Sequence, residues 1–268
     1  MTIEIGIRHD LSNEQYHSMK EALSNSYVSS WIRSNPYETE YSEGSSVSDA
    51  VADYGTAFHA LCLEPEKGLV VRHDGENRLG KQWSVPKERA KKDGKVLLLP
   101  KEYDAIEAMR EALLANDHGN KLLNAKDKVC EASIFVKHEK TGLILKCRPD
   151  IYSEVLGVVG DLKSTIDASP RGFGRSIYKY GYNYQAFYYL YVCRLAGLNV
   201  DKFAFLAVRK SVPFSVHVHT MHADAMAHAE MMIERALEEI AEARETGHYP
   251  TKWGDFTVHD LPEYLIED

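Results

Sequence analysis

The chain has 268 residues, 44% of them hydrophobic, enough for one sizeable core. No apolar run approaches the roughly 18 residues of a membrane span, and Cys62, Cys130, Cys147 and Cys193 lack the C-x-x-C spacing of a zinc or iron–sulfur site. A net charge of −8 argues against non-specific coating of nucleic acid, although acidic metal ligands raise that count and a local basic track can still hold a polynucleotide. The start, Met1-Thr2-Ile3-Glu4-Ile5, has no basic region followed by an apolar one, so a cytoplasmic protein is expected.

Residues 1–20 read as an extended segment and a turn. Ser24-Asn25-Ser26 offers N-caps for a helix over 27–33, ended by Asn35-Pro36. Residues 42–48, rich in Ser and Gly, predict a loop. The helix predicted next, over 48–63, has Val51, Tyr54, Ala57, Phe58 and Leu61 on its apolar face and Glu64-Pro65 at its end. It also carries His59, which spacing alone leaves as a packed or surface residue.

Residues 72–100 show the least regularity. Arg72, Arg78, Lys81, Lys87, Arg89, Lys91, Lys92 and Lys95 surround Trp83 there, a composition that suits either a loop tracking a phosphate backbone and stacking on a base or a solvated charged surface. An amphipathic helix is predicted over 101–116, closed by His118-Gly119. Strands are predicted over 128–138, 143–152 and 155–163, then a loop with a short helix over 170–182 and an aromatic helix over 183–195. Two strands, 203–208 and 214–219, precede a long helix over 223–244. This order predicts an α/β fold with a mixed central sheet flanked by helices, the crossover from 161–163 to 203–208 running through the aromatic helix.

Two of these strands end on chemistry. Asp150 closes one and Asp161-Leu162-Lys163 closes the next, so pairing as a hairpin would bring both carboxylates together. Strand alternation puts Asp161 and Lys163 on one face and Leu162 on the other. Mg²⁺ takes oxygen ligands and is usually held by one or two carboxylates plus substrate phosphate. Asp150 and Asp161 supply the carboxylates, the Leu162 backbone carbonyl a further oxygen, and Glu131, on the preceding strand, a third acid that would complete the site or hold a second ion. Lys163 would orient and help deprotonate an attacking water and offset charge on the phosphorane. The alternative reading makes Asp150 and Asp161 turn residues at strand ends and Lys163 a surface ion pair. Gln185 and Tyr189, four apart on one helix face, would hold a phosphate or a lysine near the metal, or belong to the core.

Taken together these pieces resemble the PD-(D/E)xK nuclease superfamily, and within it the phage and prophage exonuclease VIII (RecE-type) group. The likeness covers most of the chain: Ala22-Leu23-Ser24 leading to Ser34-Asn35-Pro36-Tyr37, then Gly55 to Leu61 with Leu63-Glu64-Pro65, Glu131 opening a strand, Thr141-Gly142, Arg148-Pro149-Asp150, Asp161-Leu162-Lys163-Ser164-Thr165, and Tyr184-Gln185-Ala186 with Tyr189, which is similar to the Q-x-x-x-Y motif of RecB-type domains. The resemblance implies that His59 sits near the metal as a site residue and further ligand, and that Gln185, Tyr189, Arg148 and Trp83 position substrate. It implies a core resembling that of restriction endonucleases over residues 1–268, with a helical part at 1–70 containing His59, a basic loop region at 71–100, and the nuclease core and C-terminal helix at 101–268. It further implies Mg²⁺-dependent 5′→3′ degradation of one strand of linear duplex DNA to leave 3′ overhangs, with two ions expected and Mn²⁺ as a workable substitute. The implied setting is the cytoplasm of a bacterial host, with a RecT-like single-strand annealing protein as partner and a ring-shaped trimer or tetramer around the DNA. One departure stands out: after the strand 203–208 the group commonly has a Glu-Lys pair, and here Arg209-Lys210 replaces it, so no acid is available there. The rival readings are an endonuclease or flap nuclease on the same fold, and a non-catalytic DNA-binding subunit that recruits an annealing protein.

Overall fold

The computed structural model describes residues 3–42 and 49–253. Of the loop expected over 42–48, all but Ser42 lies outside the described residues, as does the expected start of the next helix at Ser48. In chain order the first elements are β1 (Gly6–Arg8), α1 (Asn13–Ser18), α2 (Asn25–Arg33), α3 (Pro36–Tyr41) and α4 (Asp49–Leu63). A 3₁₀ turn at Pro65–Lys67 leads to β2 (Val70–Arg72), α5 (Gly80–Lys92), β3 (Val96–Leu98), α6 (Pro100–Ala115) and α7 (Asp117–Leu123). Next come β4 (Val129–Cys130), β5 (Ser133–Lys137), β6 (Ile144–Cys147), β7 (Ile151–Ser153) and β8 (Val158–Thr165), and finally α8 (Pro170–Tyr180), α9 (Tyr182–Leu195), β9 (Lys202–Arg209), β10 (Val216–His219) and α10 (Ala223–Thr246).

The main sheet runs β10-β9-β8-β7-β4, and its single parallel pair is β8 with β9. The chain passes between those two strands through α8 and α9, the crossover expected from the sequence. Alternation decides what each face of the sheet buries. Phe203, Phe205 and Ala207 of β9 face α9, with α2 and α10 beyond it, in a core that includes Trp31, Tyr188 and Ile233. Leu206 and Val208 face the opposite way, with Leu162 and Ile151, onto α4, α6 and α7. Gly160 permits that second contact: a Cβ there would stand 2.6 Å from Leu122 of α7. Helices therefore cover both faces of a mixed sheet, the predicted architecture. Among the described residues, no helix is long and apolar enough to cross a membrane.

Two predicted strands are each broken in the structure. The run 128–138 splits into β4 and β5 at Glu131, whose φ is +53°. The run 143–152 splits into β6 and β7 at Arg148-Pro149-Asp150. The breaks lie side by side, with Glu131 N–H donating to the Asp150 carbonyl at 3.2 Å. On one side of this corner β5 and β6 pair with β1 in a three-stranded sheet; on the other, β4 and β7 join the main sheet. Strands commonly change sheets at such bends, and Pro149 has no N–H to continue a ladder.

Residues 72–100 are more ordered than expected. Trp83 and Ala90 of α5 bury against Leu97, with Val71 and Leu99 around them, and β2 pairs in parallel with β3. Pro86 lies inside α5 and donates no bond to Gln82 four residues earlier; that carbonyl instead contacts His73 Nε2 at 2.8 Å. The loop with a short helix predicted over 170–182 is the eleven-residue helix α8, started by Ser169, whose hydroxyl accepts from Gly172 N–H. His118-Gly119 does not end the helix before it but lies within α7, because Asn116 caps a new helix by accepting from Gly119 N–H at 3.0 Å.

Candidate active site

β7 and β8 pair antiparallel with Ile151 opposite Gly160, so the next position in the register sets Asp150 opposite Asp161. Asp150 Oδ2 accepts from the Leu162 N–H at 2.6 Å, which fixes the carboxylate across the strand end. In a pleated strand the carbonyl and N–H of one residue point to the same edge. The Leu162 carbonyl therefore faces the site, where its register partner Pro149 has no donor to offer.

α4 approaches from the layer opposite α9 and presents His59. Its Nδ1 lies 3.3 Å from Asp150 Oδ1 and 3.7 Å from Glu131 Oε1. One ligand atom from each of His59, Glu131 and Asp150 falls within 4.8 Å of the others, a spacing that suits one metal ion. Two hard carboxylate oxygens and one imidazole nitrogen form a donor set for a small divalent cation such as Mg²⁺ or Mn²⁺. Burial alone would push the imidazole down, but the Asp150 charge and the hydrogen bonds to Asp150 and Glu131 raise His59 well above its usual value. Burial also opposes the charge on Asp150, and His59 and Lys163 nevertheless hold it below the usual carboxylate range.

Asp161 lies beside this cluster and is not one of its three members. Its Oδ1 accepts from Gln185 Nε2 at 2.6 Å, and Lys163 Nζ stands 2.6 Å from its Oδ2. Burial, together with the nearby Asp150 charge, outweighs Lys163 and pushes the Asp161 carboxyl up to about 6. Burial would lower Lys163, but Asp161 and Asp150 raise it above the ordinary lysine value. Among the described residues there is thus one three-ligand cluster; a second ion would need Asp161 to exchange its lysine and amide partners. Gln185 thus holds this carboxylate, a partner that its helix position alone did not name.

Tyr189, one turn beyond Gln185, borders two cavities. One, of 420 Å³, is lined by His59, Glu131, Arg148 and Asp150 together with Thr56 and Tyr16. The other, of 520 Å³, lies on the Lys163 and Gln185 side and includes Arg33. Arg148 borders the first cavity, but its guanidinium is engaged within the chain. Nε and one terminal nitrogen donate to Ser133 Oγ at 3.0 and 2.6 Å, the latter also to the Leu11 carbonyl at 2.7 Å. Arg148 therefore clamps the N-terminal segment to β5 where a phosphate contact was expected. Trp83 is likewise a correction: it is 7% exposed and packs against His73 and Arg78, so its face is closed to a base. Arg209 is the last residue of β9 and lies on the rim of a separate cavity with Asp167 and His217. Sequence reasoning did not single out Tyr182, whose ring lies 5.0 Å below Lys163 Nζ; its position three residues before Gln185 was the available signal.

A buried aspartate pair, a lysine two residues along the strand, and a histidine–glutamate–aspartate cluster at a strand end define the PD-(D/E)xK class of site. The chain belongs to the family described as a PDDEXK-like domain of unknown function (DUF3799), whose model matches residues 12–260. It is also similar in structure to a candidate exonuclease from Eubacterium rectale: the TM-score is 0.59 at 14% identity, over 97% of this chain and 98% of that one. No curated protein matches the sequence.

Proposed function

We propose that the protein is a divalent-metal-dependent nuclease that hydrolyses phosphodiester bonds in DNA. The observation that carries this reading is the convergence of His59, Glu131 and Asp150 within 4.8 Å, next to the Asp161–Lys163 pair. In this reading His59, Glu131 and Asp150 hold the ion, and the Leu162 carbonyl faces them. The ion, when bound, polarises the phosphoryl oxygen and lowers the pKa of water. Lys163 orients the nucleophile through its ammonium and offsets charge gathering on phosphate, while Gln185 positions Asp161. Tyr182 supports Lys163 from below.

The finer reading is an exonuclease of the RecE type, acting 5′→3′ on linear duplex DNA and leaving 3′ overhangs for an annealing partner, with a ring of subunits around the DNA. It draws support from the order of the sequence motifs and from the likeness to the candidate exonuclease structure. Linear duplex labelled at either end, and covalently closed circular duplex, test it with Mg²⁺ present. Loss of the 5′ label as mononucleotide, with intact circles, is expected. Cut circles would replace the exonuclease with an endonuclease on the same fold.

A further inference from the structure

The groove leading away from Lys163 differs in character from the cavity at His59. It encloses 290 Å³, and its lining includes Lys163, Thr165, Arg175, Tyr180, Tyr182 and Lys210. Its outer wall is α8, from which Arg175 lines it; Arg171 and Lys179, one turn to either side, share the face of Arg175 by their fourfold spacing. All three are exposed, and α8 contains no acidic residue. Lys210 joins them from the turn after β9, where its backbone N–H donates to the Thr165 carbonyl at 2.8 Å. Among the described residues, no carboxylate forms an ion pair with Arg171, Arg175, Lys179 or Lys210. One acid, Asp167, also lines the groove; it accepts from Ser169 N–H at 2.9 Å and lies near enough to Arg209 and Arg175 to feel their charges. In a chain of net charge −8 this is a local reversal of sign. Tyr178 and Tyr180 on the same helix are 89% and 52% exposed.

Cations without ion-pair partners spaced along a surface bind a phosphate backbone, and exposed aromatic rings among them bind unstacked bases. A duplex hides its base faces, so rings in this position suit a single strand. We propose that α8 and the turn at Lys210 form the track along which one strand of DNA passes the active site, held at phosphates by Arg171, Arg175, Lys179 and Lys210 and at bases by Tyr178 and Tyr180. The proposal rests on the nuclease reading for its placement beside Lys163, and its test is kept separate from catalysis.

The test is the binding of a fluorescent single-stranded oligonucleotide, in chelator, across a range of salt concentrations. Loss of three phosphate contacts in the triple variant Arg171→Ala, Arg175→Ala, Lys179→Ala should weaken binding about 10²-fold near 0.1 M salt and reduce the slope of log affinity against log salt by about 2. Tyr178→Ala, which removes a solvent-exposed ring and should not disturb folding, should weaken binding about 10-fold with the slope unchanged. A control triple at exposed lysines elsewhere, Lys101→Ala, Lys121→Ala, Lys126→Ala, should bind as the wild type does. No binding by the wild type, equal binding by the α8 variants, or an equal loss in the control triple would overturn the track. A chain that binds with the expected losses but never cleaves DNA would overturn the nuclease reading alone. A chain that cleaves linear duplex while the α8 triple still binds as tightly as wild type would overturn the track alone.

Discussion

Asp161 is the residue at which burial and charge are most opposed. It is 3% exposed, and the cost of desolvating its charge raises its pKa from an ordinary 3.8 to about 6 despite Lys163 alongside. A carboxyl that holds its proton more tightly in the folded state stabilises the fold below its unfolded value, and that contribution is lost as pH rises through the folded value. Asp150, shifted down, acts below 3.8, and His59, shifted up from 6.5, acts above that value. The interval from pH 4 to 6 thus separates Asp161 from Asp150 and His59. In chelator the melting temperature of Asp161→Asn should fall less over that interval than the wild type's and end several degrees higher at pH 7. Parallel melting profiles would show that Asp161 carries no such burden. The sequence placed Asp161 and Lys163 on one strand face by alternation alone. It could not show that Gln185 bonds Asp161, because that contact depends on how α9 packs across β8.

Among the elements, those with long regular periods were legible: α4, α6, α9, α10 and the strands β8 and β9 all fall close to their predicted spans. The two strands read as continuous are broken at Glu131 and at Pro149-Asp150, and these breaks gather the site. A left-handed glutamate costs about 1–2 kcal/mol and leaves no mark on hydrophobic alternation, so nothing in the pattern announced it. Pro149 was a visible signal of interruption. The segment 72–100 misled because its basic residues dominate its composition, while its order comes from a small core around Trp83. Trp83→Ala should therefore destabilise the protein by about 3–5 kcal/mol, read by denaturant unfolding, and leave single-strand affinity unchanged. A large loss of affinity with unchanged stability would return Trp83 to the binding surface.

At the scale of the whole molecule, the sheet, its two helical layers and the crossover at β8 and β9 followed from the order of elements. His59 did not: a histidine on an apolar helix becomes a site residue only when α4 is packed against the strand corner. The basic face of α8 was hidden for a related reason: a net charge of −8 dilutes its cations, and they share a face only once Pro170–Tyr180 forms a full helix in place of the predicted loop with a short helix. The central claim is that His59, Glu131 and Asp150 hold the ion that drives phosphodiester hydrolysis. It is tested most directly by digesting linear duplex DNA with the wild type and with Asp150→Asn, each in Mg²⁺ and in chelator. Wild type in Mg²⁺ should release acid-soluble nucleotide, while chelator or Asp150→Asn should reduce the rate by about 10³-fold or more, the several kcal/mol of charge stabilisation lost with the ion. Equal cleavage by Asp150→Asn, or by the wild type in chelator, would contradict it.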